Sequence, residues 1–217
     1  MPNLFSPLAV GALAMPNRIW MAPLTRCRPA DNPFASHRVK IFAYWDFSVD
    51  TEHLVQKLDQ LGGRGAIVGP KGSGKTTLLE ELDFFMDGRV KWVRIPGSDP
   101  DPLRTALEQL DRPVTELDTL LIDGSEQLGS LAWRRFYLAT LRARRVVATL
   151  HRPGRLPTLF ECTPTPDILI SLVHYLDPDD AVILEPHLPD LFRRHGGNIR
   201  LCFRELYDAY AGRRHGR

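Results

Sequence analysis

Apolar residues recur along this chain with two different spacings, and the alternation between them lays out an architecture. Short aliphatic runs fall at 65–68, 90–95, 117–123 and 145–151, each bounded by turn-forming or charged residues. Runs of that length read as buried strands. Between them the apolar positions repeat every three or four residues. In 51–61, Leu54, Leu58 and Leu61 share one face, and Gly62 and Gly63 end the helix. Further helices are predicted over 75–86, over 101–110 behind Pro100 and Pro102, and over 125–144 as one long segment. Residues 157–162 supply a fifth strand. Alternating strands and helices predict an α/β fold, a parallel five-stranded sheet flanked by helices. From Asp167 the pattern is helical, over 168–176, 188–195 and 198–210, which predicts a small C-terminal helical lid with Phe203, Tyr207 and Tyr210 in its core. The expected divisions are an N-terminal fragment over 1–31, a core over 32–164, and a lid with a basic tail over 165–217.

The turn between the first core strand and its helix carries chemistry. Gly69, Pro70, Lys71, Gly72, Ser73, Gly74, Lys75 and Thr76 spell G-x-x-x-x-G-K-T, a complete phosphate-binding loop, and Thr77 continues the first helical turn. The glycines let successive backbone N–H groups turn inward around phosphate oxygens. Lys75 is placed to bridge the β and γ phosphates, and the Thr76 hydroxyl to ligate Mg²⁺. The following helix directs its N-terminus at the same anion. The expected ligand is a nucleoside triphosphate.

A second acid joins this loop. Asp123 ends the aliphatic strand Leu120, Leu121, Ile122, which carries its carboxylate to the carboxyl edge of the sheet, where it holds Mg²⁺ through water or orients Thr76. This is the Walker B pattern, and Thr76 with Asp123 is the expected metal pair. An aspartate in a turn after a buried strand has the same appearance.

Loop and strand together resemble the AAA+ and related ATPases over residues 32–210. In many of these a glutamate directly follows the Walker B aspartate and polarises the attacking water. Gly124 stands there in this chain, and Glu126 is the nearest substitute, although a first-turn glutamate equally serves the helix dipole. By the same resemblance Thr149, at the end of the fourth strand, matches the polar sensor 1 that contacts the γ phosphate or the lytic water. A threonine satisfied within the strand is the alternative. His151 and Arg152 follow it, as surface residues or as contacts to the γ phosphate. Gly197, Asn198, Ile199 and Arg200 resemble the segment that opens a lid helix in these ATPases, whose arginine is sensor 2, and Arg200 is its counterpart. The same residues also read as an ordinary helix start with Asn198 as N-cap. Arg142, Arg144, Arg145 and Arg193 are all candidates for an arginine finger. The resemblance implies an Mg²⁺-dependent ATPase or an ATP-gated switch, with Lys75, Asp123, Glu126, Thr149 and Arg200 in catalysis, and a non-hydrolysing ATP-binding regulatory module as the alternative. A small-molecule kinase would carry an arginine-rich lid insertion, and a GTPase an N-K-x-D motif after the third strand; neither pattern is found.

The first segment points elsewhere. Asn3 to Leu8 and Pro16 to Arg26, including Pro23, Leu24 and Thr25, resemble over residues 3–28 the amino-terminal segment of the Old Yellow Enzyme family, FMN-dependent oxidoreductases built on (β/α)₈ barrels. In that family the positions matching Pro23, Leu24 and Thr25 lie against the flavin. A barrel of that kind needs roughly 250 residues, and the pattern stops after Asp31, so the flavin site is incomplete and FMN is not expected. The segment reads as a passive extension, a docking piece, or the start of a truncated flavoprotein; as a separate piece it would form a hairpin around Gly11 or stay mobile.

Charge and cysteine usage narrow the classes further. Across 217 residues, 28 Lys and Arg nearly balance 26 Asp and Glu, for a formal charge of +2, so nothing global favours nucleic acid or a membrane surface. The basic end, Arg213 to Arg217, reads as solvated, with nucleic-acid contact a minority reading. Cys27, Cys162 and Cys202 are scattered without metal or disulfide spacing, and no run reaches the eighteen or so apolar residues of a membrane span. A soluble, cytoplasmic protein with ATP as ligand and an unspecified protein partner is the expectation.

Overall fold

The computed structural model describes residues 8–10, 13–15, 32–34 and 50–215, with the backbone alone for 8–10, 13–15 and 212–215. The first two strands, β1 (Leu8–Val10) and β2 (Leu13–Met15), pair antiparallel, with Val10 opposite Leu13 and Leu8 opposite Met15. Pro23, Leu24 and Thr25 lie outside the described residues.

The core begins with α1 (Thr51–Gln60), whose N-cap Asp50 accepts a hydrogen bond from the His53 amide. Gly62 and Gly63, both at positive φ, end it and turn the chain into β3 (Arg64–Val68). After the loop come α2 (Lys75–Asp83), β4 (Arg89–Arg94), α3 (Pro102–Glu108), β5 (Asp118–Asp123), a 3₁₀ turn (Ser125–Gln127), α4 (Ser130–Thr140), β6 (Arg145–Leu150) and β7 (Thr158–Glu161). The five strands form one parallel sheet in the order β4, β5, β6, β3, β7. The chain therefore leaves β3 across two strands to the far edge and later crosses back over β3 to reach β7. In open parallel sheets, the carboxyl ends of strands beside such a reversal form a crevice.

Period-two alternation assigns each strand residue to a face. Leu120, Ile122, Val146, Ala148, Ala66 and Val68 pack toward α3 and α4 with Ala106, Trp133 and Phe136. Leu121, Val147 and Ile67 pack on the opposite face with Leu54 and Leu58 of α1 and Leu78, Leu79 and Leu82 of α2. Counting two further along each strand, Asp123 and Thr149 fall on the same face as α2, at the edge where that helix begins.

The long helix expected over 125–144 is broken. Gly124 takes a left-handed φ of 83°, the 3₁₀ turn follows, and Leu128 is extended before α4 starts at Ser130. The carbonyls of Ser125 and Leu128, which would continue a helix, accept hydrogen bonds from the Arg155 guanidinium at 2.7 and 2.5 Å.

The C-terminal helices are α5 (Pro166–Leu176), α6 (Pro178–Leu184), α7 (Leu188–Arg194) and α8 (Ile199–His215), with a 3₁₀ turn (Glu185–His187) between α6 and α7. They share a separate core with Leu169, Leu172, Val173, Leu188, Leu191 and Phe203. Helix α6 was not expected from the sequence, although Asp177 caps it, Pro178 opens it and Asp179 and Asp180 occupy its first turn. The described residues at the expected start of the core, Asn32 and Phe34, pack on these helices. Both are buried in this helical core rather than in the sheet core: the Asn32 side-chain amide donates to the Tyr207 carbonyl at 3.1 Å, and Phe34 stacks on Phe203. Burying a phenylalanine there contributes about 1.5–3 kcal/mol. Among the described residues no helix is long and apolar enough to cross a membrane.

Candidate functional site at the carboxyl edge of the sheet

Strand β3 delivers the loop. The Gly69 amide bonds the Leu150 carbonyl at 3.0 Å and the Cys162 amide bonds the Val68 carbonyl at 2.7 Å, so both neighbouring strands hold the loop's first residue in place. A Cβ at Gly69 would sit 2.6 Å from the Cys162 carbonyl oxygen, which makes glycine obligatory there. Gly72 and Gly74 both take left-handed φ values, 80° and 89°, curling the backbone toward the start of α2. Gly74 is the N-cap, and the first amides of α2 by geometry have no partner within the helix and open toward the curl. Pro70 and Lys71 are exposed on the outside of the turn, while Ser73 is buried and Thr77 partly so.

Lys75 lies within the curl. It is only 7% exposed, and its Nζ donates to the carbonyls of Gly69 at 2.8 Å and Pro70 at 2.7 Å. Burial depresses this ammonium below the ordinary lysine value; Glu126, Cys162 and Asp123 oppose the shift and Arg200 adds to it. The shift identifies the charges gathered around Lys75. Glu126 and Asp123 of the core and Arg200 of α8 all act on one cation.

Three of the predicted residues form one hydrogen-bonded network. Thr76 Oγ1 lies 3.1 Å from both carboxylate oxygens of Asp123. Thr149 Oγ1 donates to Asp123 Oδ1 at 3.0 Å and accepts the Gly124 amide, also at 3.0 Å. Strand β6 stands between β5 and β3, so Thr149 fills the gap across which Asp123 reaches α2. Both readings of Thr149 meet here, because the hydroxyl is satisfied at the strand end, 1% exposed, and satisfied by the site's own acid.

Glu126 reaches the site by a route the sequence hides. A side chain at Gly124 would collide with the Ile95 carbonyl, and the left-handed turn there starts the 3₁₀ turn that carries Glu126 back. Ser125 Oγ pins that turn to the Thr149 carbonyl at 2.5 Å, and Arg155 holds it from the β6–β7 connection. Nothing in the local pattern singles out Arg155, whose carbonyl partners lie 27 and 30 residues earlier. His151 Nε2 lies 3.2 Å from Glu126 Oε1.

The lid segment also meets the loop. Asn198 caps α8 through the Leu201 amide, and its side-chain amide sits against Gly72 so closely that a Cβ there would overlap it. Arg200 is exposed and near enough to Lys75 to influence it. The finger candidates separate. Arg145 is 3% exposed in side chain and paired with Asp59 through two nitrogens at 2.7 and 2.8 Å, at the amino end of β6, opposite the loop. It is a structural residue. Arg144 pairs with Asp87 and Arg193 with Asp190, while Arg142 is exposed. No group of three or more His, Cys, Asp or Glu side chains with metal-holding geometry occurs among the described residues. The Thr76–Asp123 pair offers one hydroxyl and one carboxylate, which suits a hard cation that takes its remaining ligands from water and phosphate. No protein-family model matches the chain, and no curated protein matches it.

Proposed function

We propose that this protein binds ATP with Mg²⁺ at the loop over residues 69–76 and hydrolyses it. The observation that carries the reading is the Thr76–Asp123–Thr149 network lying beside the buried Lys75. A glycine-rich turn alone occurs in many proteins. A turn that buries a lysine, places a threonine against a strand-end carboxylate, and opens a helix N-terminus on the same point has the donor set of a polyphosphate site.

In this reading the loop amides and the first turn of α2 take the phosphate oxygens, and Lys75 exchanges its contacts with the Gly69 and Pro70 carbonyls for contacts with the β and γ phosphates. Thr76 and Asp123 would hold Mg²⁺, which would neutralise charge on the phosphates. Thr149 keeps Asp123 oriented, and Glu126 accepts the proton of the attacking water. Arg200, on the first turn of α8, meets the γ phosphate, so the helical unit responds to which nucleotide is present.

The test is Mg²⁺-dependent ATP binding and phosphate release on wild type and Lys75→Ala side by side. Binding and release in wild type, both weakened by the substitution, are the expected result. Equal affinity in the two proteins would sink the proposal, and binding without release would leave an ATP-responsive module in place of an ATPase.

A further inference from the structure

Glu126 is held by one oxygen. Its Oε1 lies 3.2 Å from His151 Nε2, whereas its Oε2 is buried and has no hydrogen-bond partner among the described residues. An orphaned buried carboxylate oxygen is costly, so it persists where the surroundings force it and where a partner arrives from outside the protein. Here the surroundings do force it. Ser125 is fully buried and bonded to the Thr149 carbonyl, Arg155 grips the carbonyls on either side of the 3₁₀ turn, and the charge of Glu126 registers at Lys75. The unpartnered oxygen thus belongs to a carboxylate on the turn that is bonded to Thr149, the residue that holds Asp123.

His151 is the residue immediately after β6, two beyond Thr149. One strand end therefore supplies both the hydroxyl that orients Asp123 and the imidazole that reaches Glu126. The contact His151 makes is with Glu126, at 3.2 Å.

We propose that His151 is a positioning residue for the hydrolytic step: its Nε2–H fixes Glu126 through Oε1, leaving Oε2 to take the proton of the attacking water. The proposal rests on the ATPase reading above. In that step a water oxygen bonds to the γ phosphorus, the bond from that phosphorus to the β–γ bridging oxygen breaks, and its electron pair leaves with ADP. The proton released by the water passes to Glu126 Oε2. A histidine that hydrogen-bonds the second oxygen restricts carboxylate rotation without competing for the lone pair that receives the proton, which is the arrangement a general base needs.

The experiment compares wild type, His151→Phe, His151→Gln, Glu126→Gln and the double variant His151→Phe/Glu126→Gln, with Glu126→Ala added for the spectrum. It measures Mg-ATP dissociation constants, kcat and KM for phosphate release, and the ¹⁵N imidazole spectrum of His151 without nucleotide. His151→Phe should lower kcat about 10- to 100-fold, the scale for removing a residue that orients a reacting group, with the dissociation constant unchanged. His151→Gln, which retains an N–H donor, should recover part of that loss. The double variant should be no slower than Glu126→Gln alone, since both changes act on one step. The nucleotide-free spectrum should place the proton on Nε2 in wild type and lose that preference in a Glu126→Ala variant. The proposal is overturned if His151→Phe keeps wild-type kcat, if its loss appears in ATP affinity, or if the imidazole spectrum ignores Glu126. Wild type that binds ATP without releasing phosphate overturns it while leaving the binding reading intact; wild type that binds no ATP removes both.

Discussion

The side-chain amide of Asn198, at the start of the last helix, lies against the α-carbon of Gly72 in the middle of the loop. This contact joins the helical unit to the curl, and it gives Gly72 two independent reasons to be glycine: a φ of 80° and the absence of room for a Cβ. Gly72→Ala should therefore lose about 1–2 kcal/mol to backbone strain alone, with a further loss from displacement of Asn198. Replacing Asn198 by glycine in the same chain should recover only the steric part, because glycine is itself an acceptable N-cap. Urea unfolding of the single and double variants measures both parts; an additive double variant would mean that the two residues do not touch.

Lys75→Ala should weaken Mg-ATP binding by about 10- to 100-fold, the equivalent of one charge-assisted contact. Arg200→Ala should weaken ATP binding more than ADP binding if, as proposed, it meets the terminal phosphate. Calorimetric titration with each nucleotide separates the two, and equal losses would return Arg200 to a purely structural role.

Thr149 links strands β5 and β6 to the site through a single hydroxyl, so Thr149→Val changes hydrogen bonding at nearly constant volume. It leaves the buried Gly124 amide without its partner and removes one of the two hydroxyls on Asp123 Oδ1, at a cost of about 1–3 kcal/mol in denaturant unfolding. Thr149→Ser should restore most of the stability. A valine variant as stable as wild type would contradict the network.

Asp118, at the other end of β5, is a carboxyl whose surroundings tie stability to acid pH. Its side chain is fully buried, which by itself would push the carboxyl up, but the amide and hydroxyl of Thr115 at 2.7 and 2.9 Å, with Arg89 and Arg112 beside it, hold it below the ordinary carboxylate range. A carboxyl lowered in the folded state contributes stability above the unfolded value of about 3.9, and that contribution is lost as pH falls through the folded value. Asp118→Asn should cost about 1–3 kcal/mol at neutral pH and flatten the fall in stability below about pH 4. An unchanged acid limb in pH-dependent melting would show that another group sets it.

The strands, the loop, the Asp123 edge and most helices were legible in the sequence because each depends on neighbours in the chain: aliphatic runs, a spacing of glycines, an acid at a strand end. The sequence alone sufficed for the alternating α/β pattern and for the identity of Lys75, Thr76 and Asp123. It also determined that no glutamate could follow Asp123 directly, since Gly124 occupies the place. What the tertiary structure decided are relations between residues far apart in the chain. The expected long helix breaks before Ser130, where Arg155, distant in sequence, takes the carbonyls of Ser125 and Leu128. The turn carrying Glu126 lies at the end of β6 because Gly124, where a Cβ would meet the Ile95 carbonyl, takes a left-handed conformation and Ser125 bonds the Thr149 carbonyl. Asn32 and Phe34 went to the helical core because Tyr207 and Phe203 offered a carbonyl and a ring that no local pattern announces. Arg145 ceased to be a finger candidate for the same reason: its charge is spent on Asp59, 86 residues earlier. Local periodicity specifies which face a residue presents, and only the packing of those faces specifies what it meets.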